Sequence, residues 1–381
     1  MKVTLLSSVP PQKGITPYTL GLAGALARQP EVDVELLGYR SLYPGFLYPG
    51  GDVEDAAAGD ETPSSVSVSR IMNWWDPVSW VRAGRGATGD VVHAQWWSYP
   101  LAPSYAVMLA AAKRRGKRVV MTLHNVLPHE RSLWKDFLNR MVIRVADHLI
   151  VHSRRMRDVL VEEMRFAESE VSVIPHGVLV PPGPTLGREE AKERLGLAPD
   201  AKVVLYFGHI RKYKGIRTLL DAFRTVADEA PSAHLVIAGQ PWVDWAPYEA
   251  RIAVLKLTDR VTTKLGFVAS ADVGAYFAAA DVIALPYSHF EAQSGIGAMA
   301  LAYERAVVVS DVGGLPDVVS DPRAIVPPRD VGSLGRALTA ILTDEPLREK
   351  LEQDARELSK EFEWGPIAER TVAVYRSVLE V

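Results

Sequence analysis

The window YFGHIRKYKGIRTLL, residues 206–220, places two cations, Arg211 and Lys214, between an apolar run ending at Gly208 and a helical pattern opened by Gly215. Cations beside a helix N-terminus suit a diphosphate, because the helix dipole and its first unpaired amides already favour an anion. The same pair also suits a turn that it merely keeps solvated, since Lys-Gly before a helix is common. A second window, LPYSHFEAQSGIGAMALAYERAVVVSDVGGLPDVV (285–319), presents Glu291 in a loop and then QSGIG. This opens a small-residue helix whose amides around Ser294, Gly295 and Ile296 can hold phosphate. Gly295-x-Gly297-x-x-Ala300, with Asp311 ending the next strand, imitates a dinucleotide fingerprint. In that fingerprint the first glycine follows its strand almost directly, whereas nine residues separate Leu285 from Gly295 here, so the imitation is set aside.

In the amino half, His124 ends the run KRVVMTL, where strand-end loops gather ligands in open α/β sheets. An imidazole there suits a hydrogen bond to a sugar hydroxyl or carbonyl oxygen, and equally a cap on the following turn. Trp96, Trp97, His129 and Glu130 are candidates for acceptor binding, since aromatic faces stack on sugars; paired tryptophans also suit a core.

The elements that must position these residues alternate almost from end to end. KVTLLSS, VDVELLG, DVVHA, KRVVMTL, HLIVHS and SEVSVIP read as strands in the first half, with helical stretches such as YTLGLAGALARQ and APSYAVMLAAAKRR between them. After the Pro/Gly cluster LVPPGPTLG (179–187) the alternation restarts with KVVLYFG, HLVIAG, VTTKLG, DVIALPY and AVVVSD. Strand, helix, strand implies parallel sheets. Two doubly wound Rossmann-like α/β domains facing a cleft are expected, 1–182 and 183–363, with residues 364–381 as an amphipathic helix crossing back to the first domain. The stretch from about residue 40 to residue 65, containing LYPGFLYPGGD, reads as a long irregular loop.

The 381 residues carry 48% hydrophobic and 23% charged side chains, which excludes disorder, collagen-like repeats and a coiled coil. The absence of cysteine excludes disulfides, thiolate zinc sites and a cysteine nucleophile, leaving titrating chemistry to histidine and carboxylates. No apolar run reaches membrane-span length, and MKVTLLSSVPP reads as an opening strand rather than a signal peptide, so a cytosolic chain is expected. The net charge of -3 argues against a general nucleic-acid binder. It conceals a polarity: residues 113–158 hold 12 basic against 4 acidic side chains, and six of the nine tryptophans lie in the first half. That suits peripheral contact with an anionic membrane, here its inner face, or an ordinary solvated helix surface.

The ordered segments FGHIRKYKGI, GFV, ADVIALPYSHFEAQSGIG, AVVVSDVGGLPDVV and FEWGPIAERTVAVY resemble the carboxyl half of family 4 (group 1) glycosyltransferases, which have the GT-B fold, are retaining and need no metal. VIPHGV resembles the pre-linker segment, and LYPGFLYPGG, HAQWWSYPLAP and TLHNVLPHE resemble the acceptor domain of a bacterial and archaeal branch. The resemblance implies that Arg211 and Lys214 neutralise the donor diphosphate, that amides around Ser294, Gly295 and Ile296 complete the cradle, and that Glu291 contacts donor-sugar hydroxyls. It further implies donor contact for Val268 of GFV, for His209, which stands at the family's usual arginine, and for His124. Met299 stands where the family's second glutamate usually binds the ribose, and Gly14, after Lys13, is what remains of a glycine pair that approaches the donor phosphate. No Asp-x-Asp occurs, so no metal and no cofactor are expected, with a UDP- or GDP-linked hexose as donor and a glycan, lipid-linked or small-molecule acceptor. Two other readings stay open at this point: a non-catalytic GT-B partner subunit, which Met299 favours, and a GT-B sugar-nucleotide epimerase, whose acid/base set is not evident.

Overall fold

A computed structural model describes residues 1–10, 12, 15–42, 62–126, 133–178, 183, 186–291 and 293–380. The chain forms two compact units, Met1–Gly177 with Phe362–Val381, and Val178–Glu361.

The first unit is built on strands β1 (Lys2–Ser7), β2 (Asp33–Ser41), β3 (Ser67–Asn73), β4 (Val91–Trp96), β5 (Arg118–Leu123), β6 (His148–Val151) and β7 (Val171–Val173). They form one sheet in the order β3-β2-β1-β4-β5-β6-β7, parallel throughout. Helices α1 (Thr16–Ala27), α2 (Pro77–Gly86), α3 (Ala102–Lys113), α4 (Leu133–Ile143) and α5 (Arg154–Asp158) connect them. The central strands are apolar on both faces, as a sheet covered on both sides requires; Val91–Trp96 is buried at every position.

Strand β3 is absent from the sequence reading. It is an edge strand with only Met72 fully buried, so SVSRIMN lacks the continuous apolar signature of its neighbours. Of the stretch read as a loop from about residue 40, Ser41 still belongs to β2, while 43–61 lie outside the described residues.

The second unit carries a six-stranded parallel sheet made of β8 (Lys202–Phe207), β9 (Ala233–Gly239), β10 (Val261–Leu265), β11 (Val282–Leu285), β12 (Ala306–Ser310) and β13 (Ile325–Val326). Its order is β10-β9-β8-β11-β12-β13. Helices α6 (Arg188–Arg194), α7 (Ile216–Glu229), α8 (Ala246–Val254), α9 (Ser270–Ala279), α10 (Gly295–Ala302), α11 (Val331–Thr343) and α12 (Glu345–Ser359) complete it. In α7 the buried residues Leu219, Leu220, Phe223 and Val226 recur at three-to-four spacing, the stripe that seats a helix on a sheet. Asp281, just before β11, is buried and accepts the Val203 N–H at 2.7 Å, with Arg188, Lys192 and Arg348 around it. This buried charge is compensated on every side, so α6 and α12 are anchored to the start of β11.

Helix α13 (Trp364–Leu379) belongs to the first unit. Its buried stripe Ile367, Ala368, Thr371, Val372, Tyr375 and Val378 shares one core with Tyr18, Leu22 and Leu26 of α1. The helix that follows the second unit in sequence thus completes the first.

Candidate donor site

In the second unit the loops leaving β8 and β11 converge. Ser288 donates to the Tyr213 carbonyl from both its backbone N–H, at 2.7 Å, and its hydroxyl, at 3.1 Å. Gly208 ends β8 at φ 106°, and a Cβ there would lie 3.3 Å from Ile296 Cδ1 and 3.5 Å from Lys214 Nζ. Glycine therefore supplies both the backbone conformation and the room in which the lysine lies against the start of α10.

Lys214 is half-buried, and among the described residues no carboxylate lies within ion-pair distance of it. Burial, with the charge of Arg211 adding to it, lowers its pKa from the ordinary lysine value. Its Nζ sits 5.3 Å from the Tyr287 ring centroid. Tyr287 is fully buried, which pushes its phenol up to about 12, with the nearby Ser294 side chain acting against that rise. Ser294 caps α10 by accepting the Gly297 N–H at 3.2 Å. The amides of Gly295 and Ile296, in the first turn, have no acceptor within the helix. Among the described residues, an uncompensated ammonium group, two amides without an acceptor and a positive helix end thus meet at one corner, an arrangement that suits an anion. The exposed or half-exposed residues of α10 are Gly295, Ile296, Met299 and Ala302, one surface of that helix.

Arg211 is placed differently from Lys214. Its guanidinium lies 3.9 Å from the ring centroid of Trp242, in the loop after β9, and the His209 ring lies 5.0 Å from the same indole. Trp242 was not singled out from sequence; the Gly-Gln-Pro-Trp turn after an apolar strand was its only signal. His209 is lowered from its usual pKa by burial and then by Lys214 and Arg211, so it is neutral at pH 7. Glu291 is exposed, and among the described residues it makes no hydrogen bond or ion pair. Its loop rests on the turn after β12: at Gly313, φ 56°, a Cβ would lie 2.4 Å from the Phe290 carbonyl oxygen and 2.9 Å from the Glu291 nitrogen. Any larger residue at 313 displaces the carboxylate. Val268 is buried and lines a cavity of about 520 Å³ with Leu195, Thr263 and Tyr276, none of which belongs to the anion corner.

In the first unit, His124 is one of four clustered histidines: His93 lies inside β4, while His124, His152 and His176 follow β5, β6 and β7. His152 Nδ1–H donates to the Ile174 carbonyl at 3.0 Å, which leaves its Nε2 to accept from His124 Nδ1–H at 3.3 Å. His124 Nε2 lies 2.9 Å from the Gln95 side-chain oxygen, and the Gln95 amide nitrogen lies 3.3 Å from His93 Nε2; with that amide turned over, its NH₂ donates to His124 and its carbonyl accepts from His93. His93 donates to Thr122 Oγ1 at 2.7 Å and accepts from the Tyr375 hydroxyl of α13 at 2.6 Å. His176 packs on Tyr18 at 4.7 Å and on His152 at 5.2 Å. Burial lowers all four below the ordinary imidazole value, His93 and His152 to about 3 and His176 to about 4. Both ring nitrogens of His124 are thus engaged inside the first unit.

Trp96 is a core residue whose indole N–H donates to Asn139 Oδ1 at 2.6 Å, so the core alternative holds for it rather than a stacking surface. Trp97 is half-buried against Tyr105. Gly14, His129 and Glu130 lie outside the described residues. Among the described residues no cluster of three or more His, Asp or Glu side chains has a metal-holding arrangement.

The sequence matches two family models, Glycosyltransferase Family 4 over residues 13–179 and Glycosyl transferases group 1 over residues 187–358. It is 29% identical over 319 residues to a D-inositol 3-phosphate glycosyltransferase of Kineococcus radiotolerans, covering 76% of this chain and 72% of that one. A D-inositol 3-phosphate glycosyltransferase of Streptomyces scabiei is 26% identical over 402 residues, covering 96% and 86%. Among solved structures, a sucrose-phosphate synthase from Thermosynechococcus elongatus superposes with a TM-score of 0.74 at 21% identity, covering 100% of this chain and 99% of that one. Anabaena HepE in complex with UDP and glucose gives 0.72 at 17% identity, covering 99% and 100%. With two parallel α/β sheets of GT-B type and a family model matching each half, the chain belongs to the family 4, group 1 glycosyltransferases.

Proposed function

We propose that this glycosyltransferase is retaining and metal-independent and takes a hexose from a UDP- or GDP-linked donor. The observation that carries the reading is Lys214, a half-buried ammonium group without a carboxylate partner, set against the open amides of α10. In the transfer step the bond from the anomeric carbon to the diphosphate oxygen breaks as the acceptor oxygen bonds to the same face of that carbon. The leaving diphosphate takes the acceptor's proton. Negative charge grows on the diphosphate, and preorganised donors aimed at it lower the barrier without an ion. Lys214 and the Gly295 and Ile296 amides fill that role, and Arg211 joins from its seat on Trp242. Glu291 orients the hexose through its hydroxyls. His124, internally hydrogen-bonded, shapes the first unit's wall rather than moving a proton. Activity is expected to survive EDTA treatment, and a strict requirement for added Mg²⁺ or Mn²⁺ would place the charge stabilisation elsewhere.

Thermal melting of the purified chain with UDP and with GDP tests the donor reading, since a ligand at 100 times its Kd stabilises by about 2.7 kcal/mol. One of the two is expected to raise the melting temperature; no shift with either overturns the reading. In the variant Glu291→Gln the nucleotide shift is expected to persist while transfer falls by roughly 100-fold, as for loss of contacts made to the sugar rather than the base. Equal loss of affinity for the free nucleotide and for the nucleotide sugar would remove Glu291 from the hexose.

The acceptor side favours a lipid surface. On α4, Trp134 is 66% exposed and Phe137 58% exposed, their rings stacked at 6.0 Å, and Met141 continues the stripe. Arg140 is exposed on the same helix, and Arg144 is exposed in the turn that follows it. Exposed aromatics beside cations are the composition of an interfacial helix. Lys113 contributes less than its position in the basic run suggests, because it pairs with Asp147 at 2.7 Å. Among the described residues no helix is long and apolar enough to cross a membrane. Sedimentation with anionic vesicles at low salt is expected to carry the chain down, with Trp134→Ser and Phe137→Ser together weakening it about tenfold or more. Absence of binding by the unaltered chain would favour a soluble acceptor.

A further inference from the structure

The second unit also holds a cavity of about 970 Å³ whose lining includes none of Arg211, Lys214, Glu291, Ser294, Gly295 and Ile296. Three of its lining cations, Lys212, Arg217 and Arg329, are exposed, and among the described residues none has an ion-pair partner. The cavity's one acidic lining residue, Asp244, accepts the Ala246 N–H at 3.1 Å, and its Arg251 is paired with Asp221 at 2.6 Å. Val243, Pro247 and Tyr248 supply apolar wall. Arg329 has a left-handed backbone, φ 64°, uncommon for a residue with a side chain. Three unpaired cations around an apolar wall, in a volume at the upper end of small-molecule pockets, define the ligand's chemistry.

We propose that this cavity is a second, regulatory site for an organic phosphate monoester whose body is an apolar or flat ring. The phosphate lies among Lys212, Arg217 and Arg329, and the ring lies on Tyr248 and Pro247. Lys212 shares its short helical turn, Lys212–Lys214, with Lys214, and Ser288, which also lines the cavity, is the residue bonded twice to the Tyr213 carbonyl. An occupant therefore presses on the backbone that positions the donor's cation. This coupling rests on the assignment of Lys214 to the donor diphosphate; the binding itself does not.

Phenyl phosphate is the probe, with phenol and inorganic phosphate as its two halves. Calorimetry with the full chain is expected to show phenyl phosphate binding at least tenfold tighter than either half. Binding should weaken at least tenfold in Arg217→Ala/Arg329→Ala. Saturating UDP or GDP should change phenyl phosphate affinity without abolishing it, a measurement that needs no variant. The nucleotide-induced melting shift should be the same in the double variant as in the unaltered chain. Equal binding by the double variant, full displacement by nucleotide, or no binding by the unaltered chain overturns the proposal. If phenyl phosphate binds as expected while neither nucleotide does, the second site stands and the donor assignment falls.

Discussion

Lys214→Met is expected to lower kcat by roughly 10²–10³-fold, the range for loss of one preorganised donor at a developing anion. Methionine keeps most of the side chain's length and its apolar contacts, so the change removes chiefly the charge. The effect exceeds that of an exposed cation because Lys214 is half-buried and has no carboxylate to share its field. Arg211→Ala is expected to cost about tenfold, as for loss of one charge-assisted contact, since its guanidinium is also held by Trp242. Steady-state kinetics at saturating acceptor distinguish the two. Turnover within twofold of the unaltered enzyme for Lys214→Met would remove it from the reacting diphosphate.

The largest stability effect is expected below neutral pH in the first unit. His93 and His152 are buried and neutral, with pKa values near 3 against about 6.5 for an unfolded histidine. Between those values the unfolded chain binds protons that the folded one does not, so stability is full above pH 6.5 and falls as the pH drops. Each such histidine costs about 1.4 kcal/mol per pH unit, so the two together cost about 4 kcal/mol at pH 5. His124 and His176 act in the same direction. Against a net stability of about 5–15 kcal/mol for a domain, that suffices to bring the first unit close to acid unfolding. Urea titrations at pH 7.5, 6.5 and 5.5, followed by tryptophan fluorescence, should show a steep fall over the last step that His93→Gln/His152→Gln flattens. A stability independent of pH from 7.5 to 5 would sink the argument.

The fold was legible wherever strands are buried on both faces, because an apolar β-branched run between helical patterns admits few other readings. It was not legible at β3, whose edge position leaves its polar side chains exposed. Of the proposed donor corner, Lys214, Ser294, Gly295 and Ile296 could be singled out from sequence because strand-end glycines and a helix start are local features. The seat of Arg211 on Trp242 was not, since it joins two loops that an entire helix and strand separate. The histidine cluster left a trace that passed unread: β4 contains a histidine, and one follows each of β5, β6 and β7, which are neighbours in the sheet. Only strand order, which a sequence does not display, turns four separate histidines into one buried chain.

Helix α13 imposes an order on synthesis. The Tyr375–His93 hydrogen bond spans 282 residues, and the α1 surface that α13 covers is made long before its cover. At roughly 5–20 residues per second, on the order of 10–40 s pass on the ribosome while the second unit is translated. During that time Tyr18, Leu22 and Leu26 face solvent or a chaperone, whereas the second unit emerges with its own core complete. A released chain truncated after residue 361 should thus present a folded carboxyl-terminal unit beside a protease-sensitive amino-terminal one.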